Sequence, residues 1–325
     1  MKKCLYNSDP ARSKGLALPE LMIAMTIGLI LVGAATSVMI SNSQSFRATL
    51  SASKAQDSAR LGFELMARNI RQAGSIPCGS GVPVDNLLSH KTDWYKNWYG
   101  SHSKGQLIGY KANPTDEDDK IAGLTNRVPG TEGLTVLYAT NEGSNVSCMP
   151  ADNGEQAYII KTAKNHLTSG DIAFICNQNF ASIFKVDVSK NDDKSVKIMA
   201  SENLEDNTHT RPGIFQKNSV IGKLRSRAWY IGTNDQEKKS LYIAELVGSE
   251  VQLMEIASGV NNLSFEYHLQ GTTEFKKTQD MLDSEWPMVR TVKITLELEV
   301  QDSSSNTEGL KRSFSSIVAL RNRIE

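Results

Sequence analysis

The sequence predicts an α+β chain, with one long N-terminal helix packed on a mainly antiparallel β-sheet head. Three observations predict it. An almost unbroken apolar run extends from Leu16 to Ile40, with one carboxylate in it, Glu20. Small and apolar residues then recur at spacings of three and four as far as Ala73, which is helical periodicity. From Leu134 onward, short β-rich runs alternate with turn residues, and helix followed by sheet is the order of an α+β domain.

The first element starts after a short basic leader that ends at Lys14-Gly15. The run Leu16–Ile40 makes about 37 Å of helix at about 1.5 Å per residue, enough to cross a bilayer with some tilt. A lone acidic residue there is costly, so Glu20 needs a function and a partner. Pro19 sits in the first turn, where proline is tolerated. A cleaved secretory signal fits badly, because the apolar run is too long and has no clear A-x-A site. A plain anchor gives no reason for Glu20.

Gly15, a hydrophobic residue after it and Glu20 at the fifth position beyond it resemble the class III signal of type IV pilins and type II secretion pseudopilins. The resemblance implies cleavage between Gly15 and Leu16 by a prepilin peptidase and N-methylation of Leu16. It also implies pairing of Glu20 with the N-terminal amine of a neighbouring subunit. An ammonium and a carboxylate, each expensive in lipid, offset one another when adjacent. Leu16 stands where phenylalanine is usual, and Pro19 where an apolar or β-branched residue is common. The organisation expected is a prepilin leader (1–15), a transmembrane and assembly helix (16–40), its amphipathic continuation (41–74) and a β-rich head (75–325). The basic leader puts the N-terminus in the cytoplasm by the positive-inside rule, and the head in a periplasm-like space across the inner membrane.

Over 325 residues, 36 Lys and Arg balance 36 Asp and Glu. Loss of the leader removes Lys2, Lys3, Arg12 and Lys14 against Asp9, which leaves 32 cations, 35 anions and a charge near −3. That balance argues against strong nucleic-acid binding, which needs clustered Lys and Arg. An oxidising compartment favours disulfides. Cys4 leaves with the leader, and Cys78, Cys148 and Cys176 remain, an odd number with three pairings. Cys148–Cys176 is favoured, each lying next to a strand-like run. Cys78–Cys176 is an alternative that ties the end of the helix to the sheet. No C-x-x-C spacing or nearby histidine suggests a metal, and no cofactor is expected.

The helix does not stop at the membrane. Ser41–Ala73 holds no proline and one glycine, Gly62. Ala48, Ala52, Ala55, Ala59, Phe63, Met66, Ile70 and Ala73 form one stripe, with most charges off it. Gly74 and Pro77 supply a stop, so the helix expected runs from Leu16 to Ala73, about 87 Å. The stripe is expected to dock on the protein's own sheet. RLGFELMARNIRQAG resembles the end of the long helix in the minor pilin PilW family.

Residues 75–133 are poorly patterned, with a short element expected near Gln106–Tyr110. WYKNWYG (Trp94–Gly100) gathers four aromatics beside a lysine. The bland reading is packing of a loose loop. The functional reading makes Trp94 and Trp98 partner contacts. TDEDDK (Thr115–Lys120) lacks the spacing and glycine of a calcium loop and reads as a solvated charged run.

Strands are expected at 134–140, 157–161, 171–176, 181–188, 195–200, 226–233, 240–246, 251–257, 262–269, 289–300 and 312–321. The clearest is VRTVKITLELEV, where Val292, Ile294, Leu296, Leu298 and Val300 alternate with polar residues, so one face is buried and one wet. The order of GDIAFIC, FASIFKV, RAWYIGTN, GVNNLSFEY and the terminal VALRNR also resembles the PilW family, loosely but over most of the chain. The pseudopilin GspJ is built on similar lines.

No G-x-S-x-G, H-E-x-x-H, Walker or G-x-G-x-x-G motif occurs, and His90, His102, His166, His209 and His268 are scattered. The expectation is a non-enzymatic minor pilin that joins other minor pilins and the major pilin in a priming complex at the pilus tip. Its further partners would be the prepilin peptidase, the inner-membrane assembly platform and a large tip adhesin. The rival of the same class is a GspJ-like pseudopilin. The rival of another class is a tip-located binding module.

Overall fold

The structure, a computed structural model, describes residues 18–79, 82–89, 93–96, 98, 106–113, 121, 123–140, 145–147, 157–161, 165–203, 206–208, 212–300 and 310–323. Gly15, Leu16, Cys148, the acidic run 115–120 and three of the histidines (His90, His102, His209) lie outside that set.

One continuous helix, α1, spans Leu18–Gln72, 55 residues and about 82 Å. It ends where expected. Gly74 takes φ +69°, the left-handed conformation that terminates a helix at little steric cost. The Gly74 amide then donates to the Leu137 carbonyl at 2.9 Å, so the helix end is stitched to a strand.

Among the described residues fourteen strands follow: β1 Val84–Asn86, β2 Leu107–Tyr110, β3 Gly133–Thr140, β4 Ala157–Lys161, β5 Ile172–Cys176, β6 Ala181–Lys190, β7 Ser195–Ala200, β8 Val220–Thr233, β9 Lys239–Val247, β10 Glu250–Ser258, β11 Val260–Leu269, β12 Phe275–Lys277, β13 Val289–Val300 and β14 Leu310–Ala319. All eleven expected strands are present, and β2 resolves the element expected near Gln106–Tyr110 as a strand. The larger sheet runs β10-β9-β8-β5-β6-β7-β4, with β3 also on β8, β2 on β3 and β1 on β6. Pairing is antiparallel except for β1 on β6. The smaller sheet runs β12-β11-β13-β14, antiparallel throughout. The layout is therefore α+β, as predicted.

Alternation on β13 sets the smaller sheet's inner face. Val292, Ile294 and Leu296 are fully buried and Leu298 nearly so, while Glu297 is exposed. The largest core lies where the end of α1 meets this face and the β8–β9 part of the larger sheet. Ala59, Met66, Ile70 and Ala73 enter it from the helix, and Leu241, Phe265 and Ile294 from the strands. Fully burying a side chain the size of Met66 or Ile70 contributes about 1.5–3 kcal/mol. Gly62 has a packing reason. A Cβ there would stand 2.8 Å from Leu241 Cδ2, so the lone glycine lets the helix lie directly on the sheet.

The structure makes two corrections. Cys176 pairs with Cys78, not Cys148, and closes a sequence separation of 98 residues. Being next to a strand was a poor guide. What decides is that the chain leaving α1 doubles back over β5 and β6, where the Val82–Asn86 segment runs beside β6. The alternative pairing, which ties the end of the helix to the sheet, is the one that forms. The second correction concerns Trp94 and Trp98, which are 2% and 0% exposed and so cannot meet a partner. Trp94 joins the helix core, and Trp98 packs on Phe174 at 5.8 Å between ring centroids. The bland reading of WYKNWYG is the correct one for both.

Candidate assembly site

Most of α1, from Leu18 to Ser58, is not buried by the rest of the described chain. From Leu18 to Ser58 no described side chain is buried; burial begins at Ala59. Of the docking stripe expected from Ala48 onward, Ala48 and Ala52 are partly buried and full burial starts at Ala59. Met22, Leu29, Ile30 and Met39 are each more than 60% exposed. Beyond the span, Phe46 and Leu50 stay exposed too, at 69% and 45%. A surface of that apolarity is stable only against lipid or other apolar helices.

Inside the span both threonine hydroxyls are satisfied locally. Thr26 Oγ1 donates to the Ile23 carbonyl and Thr36 Oγ1 to the Val32 carbonyl, both at 2.8 Å. The helix α1 is the one among the described residues long and apolar enough to cross a membrane. Glu20 lies in the first turn, exposed, where the helix dipole favours an anion.

The end of α1 is fastened to the head. Trp229 Nε1 donates to Asn69 Oδ1 at 3.0 Å, with both residues buried. The Ala139 amide donates to the Ser75 carbonyl at 2.8 Å, Asn322 Nδ2 donates to the Ala73 carbonyl at 3.3 Å, and Cys78–Cys176 follows directly. Strand, C-terminal segment and disulfide converge just beyond the last turn of α1.

Sequence reasoning missed Asn69 and Glu132. Asn69 lies between Met66 and Ile70, where a polar residue beside a core stripe signals a buried partner. Glu132 accepts from the Phe265 amide at 2.7 Å and from Thr278 Oγ1 at 2.8 Å, which bridges β3 to β11. Burial is the largest influence on its carboxyl and holds its pKa above the ordinary value. Charged side chains also brace the larger sheet. Glu245 on β9 receives Arg225 at 2.8 Å and Arg227 at 3.0 Å, with the Arg227 guanidinium over the Tyr138 ring. Asp171 pairs with Lys223 at 2.5 Å. Among the described residues no group of three His, Cys, Asp or Glu stands close enough to hold a metal ion.

Residues 10–36 match the profile of the prokaryotic N-terminal methylation motif. The chain matches no curated protein and no solved structure. The motif covers Gly15, Leu16 and Glu20, and it is the signal of pilins and pseudopilins. It implies processing by a prepilin peptidase, association with a membrane, and pilin partners. The exposed apolar rod of α1 is the structural counterpart of that signal.

Proposed function

We propose that this chain is a non-enzymatic, PilW-like minor pilin of a type IV pilus. It would be held in the inner membrane by residues 16–40 with its head in the periplasm, then extracted with other minor pilins as the complex that primes polymerisation and remains at the tip. The carrying observation is the division of α1 into an unpartnered apolar rod and a docked second half. The rod gains its stability by lateral burial against other subunits, helped by an ion pair between Glu20 and a neighbour's Leu16 amine. A head of about 250 residues, built from two sheets, is bulky for a subunit repeated along a narrow filament and supports a rare terminal position. The tip-binding alternative loses the contact residues that suggested it, since Trp94 and Trp98 are core.

Immunogold labelling of sheared filaments tests the position. Label at one end of the filament is the expected result, and label uniform along the shaft contradicts it. A Glu20→Ala variant tests the ion pair. It should be cleaved normally and yet assemble poorly; assembly like the wild type would show that the charge pair is not needed.

A further inference from the structure

We infer that the free edge of β10 is a strand-addition site for an extended, cationic segment of another protein in the same assembly. This inference rests on the assembly role proposed above.

Among the described residues, the terminal strands of the two sheet paths are guarded except at β10. The outer edge of β4 is covered by residues 145–147, whose Ser147 amide donates to the Ile159 carbonyl at 2.7 Å. β12 has three residues, two of them lysine, and β14 carries Lys311 and Arg312. Short length and cationic side chains are the usual protections of a sheet edge. β10 has neither. It is nine residues long, EVQLMEIAS, with no proline, lysine or arginine, and among the described residues it pairs only with β9.

Its geometry suits addition. Val247 pairs with Glu250 around Gly248-Ser249, so β9 and β10 form a two-residue hairpin, with Gly248 at φ +62°. The pair that closes such a hairpin is hydrogen-bonded, and the next pairs alternate. Val251 and Leu253 therefore direct their amides away from β9, toward the open side. The side chains leave the edge uncovered above and below. Leu253 pairs with Ala244 and is 39% exposed, and Met254, on the opposite face, is 62% exposed. An added strand with apolar residues at successive positions covers both at once.

The charge indicates the partner. Glu250 and Glu255 are exposed on a strand with no cation. A strand that brings lysine or arginine opposite them gains cross-strand pairs. A second β10 would bring no cation to either glutamate. Main-chain bonds supply affinity here, and the alternating side chains supply choice of partner.

The test uses the full chain in its own cells, with a photo-crosslinking residue at Gln252. The expected product is an adduct to a different envelope protein, mapped to an extended segment bearing Lys or Arg. Leu253→Pro removes an outward amide at a position where an edge strand tolerates proline. Glu250→Lys reverses the charge. Each should lower the adduct about fivefold or more, the worth of one net hydrogen bond, with the chain's level and its disulfide unchanged. No adduct, an adduct to a second copy of this chain, or an adduct insensitive to both variants overturns the inference. Filaments are counted in the same strains and in a strain lacking the chain. Filament loss on deletion without an adduct sinks the edge site alone, and intact filaments on deletion sink the assembly role itself.

Discussion

Trp229 of β8 donates its indole N–H to Asn69 of α1 at 3.0 Å, inside the core. This bond fixes the rotation of the helix on the sheet, because only one face of α1 carries Asn69 between Met66 and Ile70. Asn69→Ala leaves a buried donor unpaired and should cost about 1–3 kcal/mol. Denaturant unfolding of the detergent-solubilised chain checks it, and an unchanged midpoint would show that Trp229 finds another acceptor.

Cys78–Cys176 joins the segment leaving α1 to β5. Cys78→Ser should lower stability by about 2–5 kcal/mol, since a long loop is released in the unfolded chain. Peptide mapping without reductant should recover the Cys78 and Cys176 peptides joined. Recovery of a Cys148–Cys176 peptide instead would contradict the Cys78–Cys176 pairing.

Glu132 gives a pH dependence with a definite sign. Its carboxyl pKa is raised above the ordinary 4.5, first by burial and then by nearby Glu266, while the Phe265 amide, Thr278 and Lys277 act the other way. A folded pKa above the unfolded value favours the native state below the unfolded pKa, and that contribution is lost as pH rises through the folded pKa. The Phe265 amide and Thr278 hydroxyl both donate to one oxygen, Oε2, so Gln can keep these bonds without a charge. Glu132→Gln should therefore be more stable than the wild type at pH 7, with the gap closing toward pH 4. Glu132→Ala should lose about 1–3 kcal/mol by orphaning the Phe265 amide.

Gly62 holds α1 against Leu241 and Leu296. Gly62→Leu should lift the helix and cost about 1–3 kcal/mol, although leucine is the better helix former. A gain in stability would mean that α1 does not lie so close.

The sequence made the two halves of α1 legible because each has its own signature, an apolar run and then a 3.6-residue stripe. Strands β3 to β11, β13 and β14 were legible for a similar reason, since turn residues bracket β-rich runs. The start of docking was not. Alanines at 48, 52 and 59 look alike in sequence, and only the position of the sheet decides which are covered. The disulfide was open for the same kind of reason, because it depends on where the chain goes after Gly74. Trp94 and Trp98 show the limit of reading aromatics as contacts: in a loop that folds back on a sheet, large rings are what the sheet buries.

The most direct test of the central claim is made in a strain deleted for this chain. Surface filaments are sheared and quantified while secreted enzymes are assayed in parallel. The minor pilin account predicts that filaments are lost or sharply reduced, secretion stays normal, and the wild-type chain restores filaments. Normal filaments with failed secretion would contradict it and indicate a pseudopilin of a type II secretion system.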